Sequence, residues 1–240
     1  VLNLLTMEWG KQKGAKAVSD AGVRVAMCVD SADTLLKMAP SEEVMKRVQN
    51  CVKLIEASKN LRITSKGGTN LSWEKKDENV RFLNGLFDSE RKIKWTCFPN
   101  SIVSFPFRAE SGNGTLAVEP GDVVLHLRHM VREPIRLQLE KSRITNIEGG
   151  LDARIMTSKW FDRWKDPGAY DLLHFSFGCD HRAELHPNVF APMEWESYAG
   201  GILFGFGPVT HLDIMVSTTN VWFDDTLIIK DGQFVHPDLV

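Results

Sequence analysis

No apolar run in this 240-residue chain approaches the ~18 residues that a membrane-crossing helix needs. The first residues do not read as a basic-then-apolar secretory signal. An excess of charge of either sign is also missing. The formal net charge is −2 and the sequence pI about 6.4, with Arg and Lys scattered, which argues against a nucleic-acid or anionic-membrane partner. The four cysteines, Cys28, Cys51, Cys97 and Cys179, form no C-x-x-C pair, so reduced thiols and a cytoplasmic location are expected. Without a secretory route, the triplets Asn70-Leu71-Ser72 and Asn113-Gly114-Thr115 carry no glycosylation meaning. Internal repeats and low-complexity segments are absent. So are the G-x-S-x-G elbow, the phosphate-binding G-x-x-x-x-G-K-[ST] loop and the H-E-x-x-H zinc helix. The chain opens on VLNLLTMEWG, an apolar strand-like run with no initiator methionine, and the α/β unit it belongs to is expected to begin before Val1.

What is present is a change of texture along the chain. VRVAMCV (23–29) reads as a strand buried on both faces. After Pro40 and an N-cap at Ser41, apolar residues at Val44, Val48, Cys51, Val52 and Ile55 follow a helical period. LRITS (61–65) reads as the next strand, and strand–helix–strand suggests a parallel α/β layer. From about residue 95 the pattern is β: a turn at Pro120-Gly121-Asp122, a half-buried hairpin in IRLQLEKSRITNIEGG, and a closing hairpin with its turn at Asp231-Gly232. Between them an amphipathic helix is expected with Leu151, Ile155 and Trp164 on its apolar side, ending at Asp166-Pro167-Gly168. This divides the chain into residues 1–66, the remainder of an α/β domain, and 67–240, a β-rich catalytic domain.

Seven histidines are the richest source of chemistry. His126 and His129 fall on opposite faces of a strand and read as surface or satisfied core groups, and His236 as exposed. His181 and His186 follow Cys179-Asp180 in a polar loop. His174 and His211 each enter an apolar strand, and in VTHLDIMVSTT (209–219) the two-residue strand period sets His211 and Asp213 on one face. Two imidazoles and one carboxylate are the facial set of non-haem Fe(II) oxygenases, although H-x-D is common by chance and a salt-bridged structural pair is the alternative. The glycines of GGILFGFGP suit close backbone packing around a pocket. Cys97, in WTCFPN, reads from its context as a buried inert thiol.

The segments FPNSIVSFPF, GTLAVEPGDVVL, ITNIEGGLDA, LHFSFGCD and THLDI, in that order, resemble the leucyl aminopeptidase T superfamily across essentially the whole chain. Within it the chain is most similar to the 2,5-dihydroxypyridine 5,6-dioxygenase branch, whose members carry an α/β segment ahead of the part present here. The resemblance implies departures from the dinuclear aminopeptidases. Their P-x-G-E-V glutamate is lost in Pro99-Asn100-Ser101-Ile102-Val103, their G-E-L-x-I-G glutamate becomes His174, and their H-I-A-L-G histidine falls near Leu203. Their H-x-D remains as His211 and Asp213. The set left is His174, His211 and Asp213, which the branch uses for a single Fe(II). The branch's W-x-H-W-P histidine aligns with Cys97, leaving Cys97 or His181, or a residue of a neighbouring subunit, as candidates for acid/base work.

The expected fold is therefore α/β (α+β overall), an N-terminal parallel α/β layer followed by a β-rich metal-binding domain of the aminopeptidase T type. The expected activity is an extradiol-type, Fe(II)-dependent dioxygenase that opens the ring of a hydroxylated aromatic or N-heteroaromatic compound with O2, in a homo-oligomer. A metallohydrolase with an altered metal set and a catalytically inactive family member are the alternatives.

Overall fold

The computed structural model describes residues 2–3, 13–75, 80–87, 94–106, 111–187, 189–208 and 210–240; most of the opening run lies outside them. Among these residues are three sheets in a mixed α+β architecture. A small parallel sheet joins Leu2–Asn3, Val25–Met27 and Trp95–Cys97. An eight-stranded antiparallel sheet runs, in spatial order, Arg143–Gly149, Ile135–Glu140, Asn113–Val118, Asn70–Glu74, Asn60–Ser65, Thr219–Phe223, Thr226–Lys230 and Gln233–Phe234. A seven-stranded antiparallel sheet runs His129–Met130, Val123–Val124, Leu212–Val216, Ile202–Phe206, Leu172–Gly178, Ile102–Pro106 and Arg81–Leu83. No helix among the described residues is long and apolar enough to cross a membrane.

The two large sheets share one core because each strand alternates. Leu61, Ile63, Leu71, Leu116 and Leu137 of one sheet meet Phe175, Phe177, Phe204 and Ile214 of the other. Trp73 stacks between them, 5.8 Å from Phe175 and 6.3 Å from Phe204. Each fully buried side chain of this size contributes roughly 1.5–3 kcal/mol from lost water contact. The helix Glu42–Ala57 presents Val48, Cys51, Val52 and Ile55 to the same core, matching the helical period read from the sequence. Ser41 stands at its N-cap without a side-chain cap bond.

Three expectations are corrected. The strand 60–65 does not extend the parallel layer: it pairs antiparallel with Asn70–Glu74 and Thr219–Phe223, and the layer's partner for Val25–Met27 is Trp95–Cys97. A boundary at residue 66 therefore falls inside a hairpin. In the 151–164 helix, Leu151 and Trp164 are exposed, while Ala153, Met156 and Phe161 are buried. A π-helical segment over Thr157–Phe161 shifts the apolar face, which a uniform 3.6-residue period does not anticipate. The closing segment makes two turns, at Asp224-Asp225 and Asp231-Gly232. Asp224, Asp231 and Gly232 all have positive φ, as tight hairpin turns favour.

Candidate functional site: a His–His–Asp cluster in an apolar cavity

The strand alternation that sends Phe175, Phe177, Phe204 and Ile214 into the core sends His174, Ser176, Leu203, Gly205 and Asp213 to the other face. Strand register then aligns His174 with Gly205 and Gly205 with Asp213. His211 lies just before the strand Leu212–Val216, two residues from Asp213 on the same side. His174 Nε2 is 3.1 Å from His211 Nε2 and 3.7 Å from Asp213 Oδ1, and His211 Nε2 is 3.0 Å from Asp213 Oδ1. Glycine at 205 is required by close approach, since a Cβ there would lie 2.2 Å from His174 Nε2.

Hydrogen bonds behind the rings aim these atoms at one point. His211 Nδ1 is 3.3 Å from the Gly207 carbonyl and donates to it, and His174 Nδ1 is 3.2 Å from Ser176 Oγ. With Nδ1 donating to that carbonyl, a neutral His211 turns its Nε2 lone pair to the cluster, and His174 does the same in the tautomer that donates to Ser176. Burial pushes the His174 imidazole down to about 4, so it is neutral at physiological pH. Burial would raise the Asp213 carboxyl, but His211, His174 and His126 outweigh it and hold the group at about 2. Asp213 Oδ1 is buried against the two imidazoles. Two imidazole nitrogens and a buried carboxylate oxygen converging like this suit a cation. Adjacent ligands of an octahedral ion with bonds of ~2.1 Å stand ~3.0 Å apart, close to two of the three separations. Among the described residues this is the one His/Cys/Asp/Glu group able to hold a metal ion.

The cluster lies on the wall of a cavity of about 580 Å3 lined mainly by apolar groups, among them Met27, Phe82, Leu83, Trp95 and Ile102. Two further lining residues lie outside the expected site, His126, which the sequence reads as a surface or satisfied core group, and Glu196. His126 follows the strand Val123–Val124 in a short 3-10 turn, where its Nδ1 accepts the Asp213 backbone N–H at 3.2 Å and lies 3.7 Å from Asp213 Oδ2. Glu196, in the helix Pro192–Ser197, is buried and accepts Asn100 Nδ2 at 3.1 Å. Burial, with the Asp213 charge, pushes its carboxyl well up.

The two residues expected to handle protons separate. Cys97 lines the cavity, but burial, with the carboxylates of Glu196 and Asp30 nearby, pushes its thiol well up. His181 is not among the lining residues: its half-exposed ring sits 3.2 Å from Arg47 Nη1 and 3.5 Å from Glu43 Oε1. His129 pairs with Asp152 at 2.8 Å, and His186 with Glu184 at 2.9 Å, both away from the cluster.

Sandwiched antiparallel sheets define a protein of the aminopeptidase T architecture, here carrying a His–His–Asp cluster. The fold is shared with AmpT of Thermus thermophilus (TM-score 0.61, 14% identity, 85% of this chain and 58% of that one). It is shared more extensively with a solved 2,5-dihydroxypyridine dioxygenase from Pseudomonas putida (TM-score 0.84, 24% identity, 94% of this chain and 69% of that one). The 2,5-dihydroxypyridine 5,6-dioxygenase (NicX) family profile matches residues 1–236, and the chain belongs to that family. The 2,5-dihydroxypyridine 5,6-dioxygenase of P. putida is 27% identical over 233 residues, 90% of this chain. The chain spans 66% of that relative's length.

Proposed function

We propose that this chain is the metal-binding part of a mononuclear non-haem Fe(II)-dependent dioxygenase that opens the ring of a hydroxylated aromatic or N-heteroaromatic compound such as a dihydroxypyridine. The observation that carries the reading is a three-ligand cluster, one ligand anionic, on the wall of an apolar cavity large enough for a single aromatic ring. Membership of the NicX family supports the same substrate class. His174, His211 and Asp213 would hold the Fe(II), which would supply Lewis-acid chemistry and the redox chemistry that Zn2+ lacks.

The rest is the work of the protein's own groups. Asp213 brings the negative charge that makes the cation's burial tolerable. Gly207 and Ser176 hold the two imidazoles in the required tautomer. Phe82 and Trp95 give flat apolar walls on which a ring can lie, and with Met27 and Leu83 they exclude water. Within this reading Glu196 and His126, rather than Cys97 or His181, are placed to hold or receive a proton. Both line the cavity beside Asp213; Cys97 is kept as a neutral thiol and His181 lies elsewhere.

The test is metal analysis of anaerobically purified protein, with O2 consumption recorded on adding 2,5-dihydroxypyridine. One iron per chain with ring-dependent O2 uptake is expected. Two zinc or cobalt ions with peptide cleavage would sink the reading in favour of a hydrolase.

A further inference from the structure

Two residues along the strands from the row His174–Gly205–Asp213 runs a second row on the same face. Its register is Arg81 opposite Ser104, Ser104 opposite Ser176, and Ser176 opposite Leu203. All four line the cavity. Among the described lining residues Arg81 is the one with a permanent positive charge, and no hydrogen bond or ion pair occupies its guanidinium among those residues. Its charge is felt at His174. Ser176 is wholly buried against His174, 3.2 Å from Oγ to Nδ1. Ser104, half-buried between Arg81 and Ser176, supplies a hydroxyl.

An exposed guanidinium lining the cavity beside a half-buried hydroxyl is a receptor for a planar anion. The fork of Arg matches a carboxylate in two parallel bonds. Arg81 stands two residues along and two strands across from His174, ~7 Å by ~10 Å between backbones. The Arg side chain and one aromatic ring together span that distance, with a hydroxyl oxygen at the cluster and an anionic substituent at the far edge. An uncharged dihydroxypyridine leaves Arg81 unused.

We propose that Arg81 and Ser104 form a carboxylate-binding subsite, so that the ring taken by this protein carries a carboxylate besides its hydroxyl groups. The proposal rests on the ring-cleaving reading for the identity of the ring, and binding tests it separately from turnover. Iron-loaded protein, kept anaerobic, is titrated by calorimetry with 2,5-dihydroxypyridine and with a ring-carboxylated dihydroxypyridine. The carboxylated ring binds tighter by about tenfold or more, as a charge-assisted pair in a partly dry site allows. Arg81→Met removes that preference, weakening the carboxylated ring about tenfold more than the uncarboxylated one. Arg81→Lys keeps a part of the preference, as a point charge without the fork. Near-UV circular dichroism of each variant reports the fold. Equal affinity of wild type for the two rings overturns the subsite, as does no measurable binding of the carboxylated ring, or equal weakening of both by Arg81→Met. O2 uptake is followed in parallel. A carboxylate preference without O2 uptake would leave the subsite standing and remove the dioxygenase reading.

Discussion

Asp213 contributes the one carboxylate oxygen in the cluster, and the imidazoles around it keep that oxygen charged. Asp213→Ala removes the one anion of the cluster and leaves only the two imidazoles to hold a divalent cation. Iron content is expected to fall to background by atomic absorption. A variant that retains full iron would show that the cation is held elsewhere. Gly205→Ala is the complementary change. A methyl group 2.2 Å from His174 Nε2 cannot coexist with that ring position, so the imidazole must turn away. Overpacking of this kind typically costs about 1–3 kcal/mol of stability. The larger effect is on the site, where iron retention should drop at least tenfold while far-UV circular dichroism is unchanged. Retained iron in Gly205→Ala would argue against the Nε2 ligation inferred from the Ser176 contact. His211 and Asp213 were readable from the chain itself, since two residues on one side of a strand are neighbours whatever surrounds them. His174 was readable only with help. Its partnership with Asp213 passes through the register of an intervening strand, at a residue that has no side chain.

Elements carry the information that periodicity could not. The π-helical segment Thr157–Phe161 turns Trp160 so that its indole N–H donates to the Thr210 carbonyl at 3.1 Å, next to His211. The same ring packs 5.3 Å from His126. One irregular turn thus braces the segment that carries a candidate ligand and a histidine that touches the carboxylate. Trp160→Phe keeps most of the packing and deletes the donor. Changes that loosen such outer contacts cost typically 10–100-fold in metal affinity. Iron affinity measured by competition with a chelator should weaken by about tenfold, with the unfolding midpoint shifting little. A large loss of stability with unchanged affinity would make Trp160 a packing residue only. His126 was read as a strand residue with a structural role because Val123–His129 looks like one continuous strand. The 3-10 turn at Leu125–Leu127 and the left-handed Arg128 break it and swing His126 into the cavity. Glu196 sits in a six-residue helix bonded to Asp30, Asn100 and Ser101, all distant in the chain, and nothing local marks it. The strand 60–65 was recognised as a strand but given the wrong sheet, because a strand's apolar pattern says how it is buried and not with whom it pairs.

At the scale of the whole molecule, the division of labour between the sheet faces couples the site to the stability of the fold. One face of the seven-stranded sheet builds the core with phenylalanines, while the other buries ionisable groups that a folded chain must hold in one protonation state. Burial holds the His174 imidazole at about 4, against ~6.5 in an unfolded chain. Between those values the unfolded state binds a proton that the folded state refuses, so stability rises with pH through this window and falls on acidification. Asp213, held at about 2 against ~3.9 unfolded, adds stability that is complete above the unfolded value and is lost as pH falls toward 2. Both groups act in one direction. Metal-free protein should lose about 1–3 kcal/mol between pH 7 and pH 4 from His174 alone. The loss is to be read from urea unfolding at a series of pH values. His174→Gln replaces the imidazole with a side chain that does not titrate, and its stability should be distinctly flatter between pH 6.5 and 4, whatever its absolute value. Bound iron should raise the unfolding midpoint of wild type near neutrality by mass action, and far less that of His174→Gln. If wild type and variant show the same slope over that interval, His174 is not the buried neutral group described here, and the argument that its lone pair is ready for a cation at physiological pH falls with it.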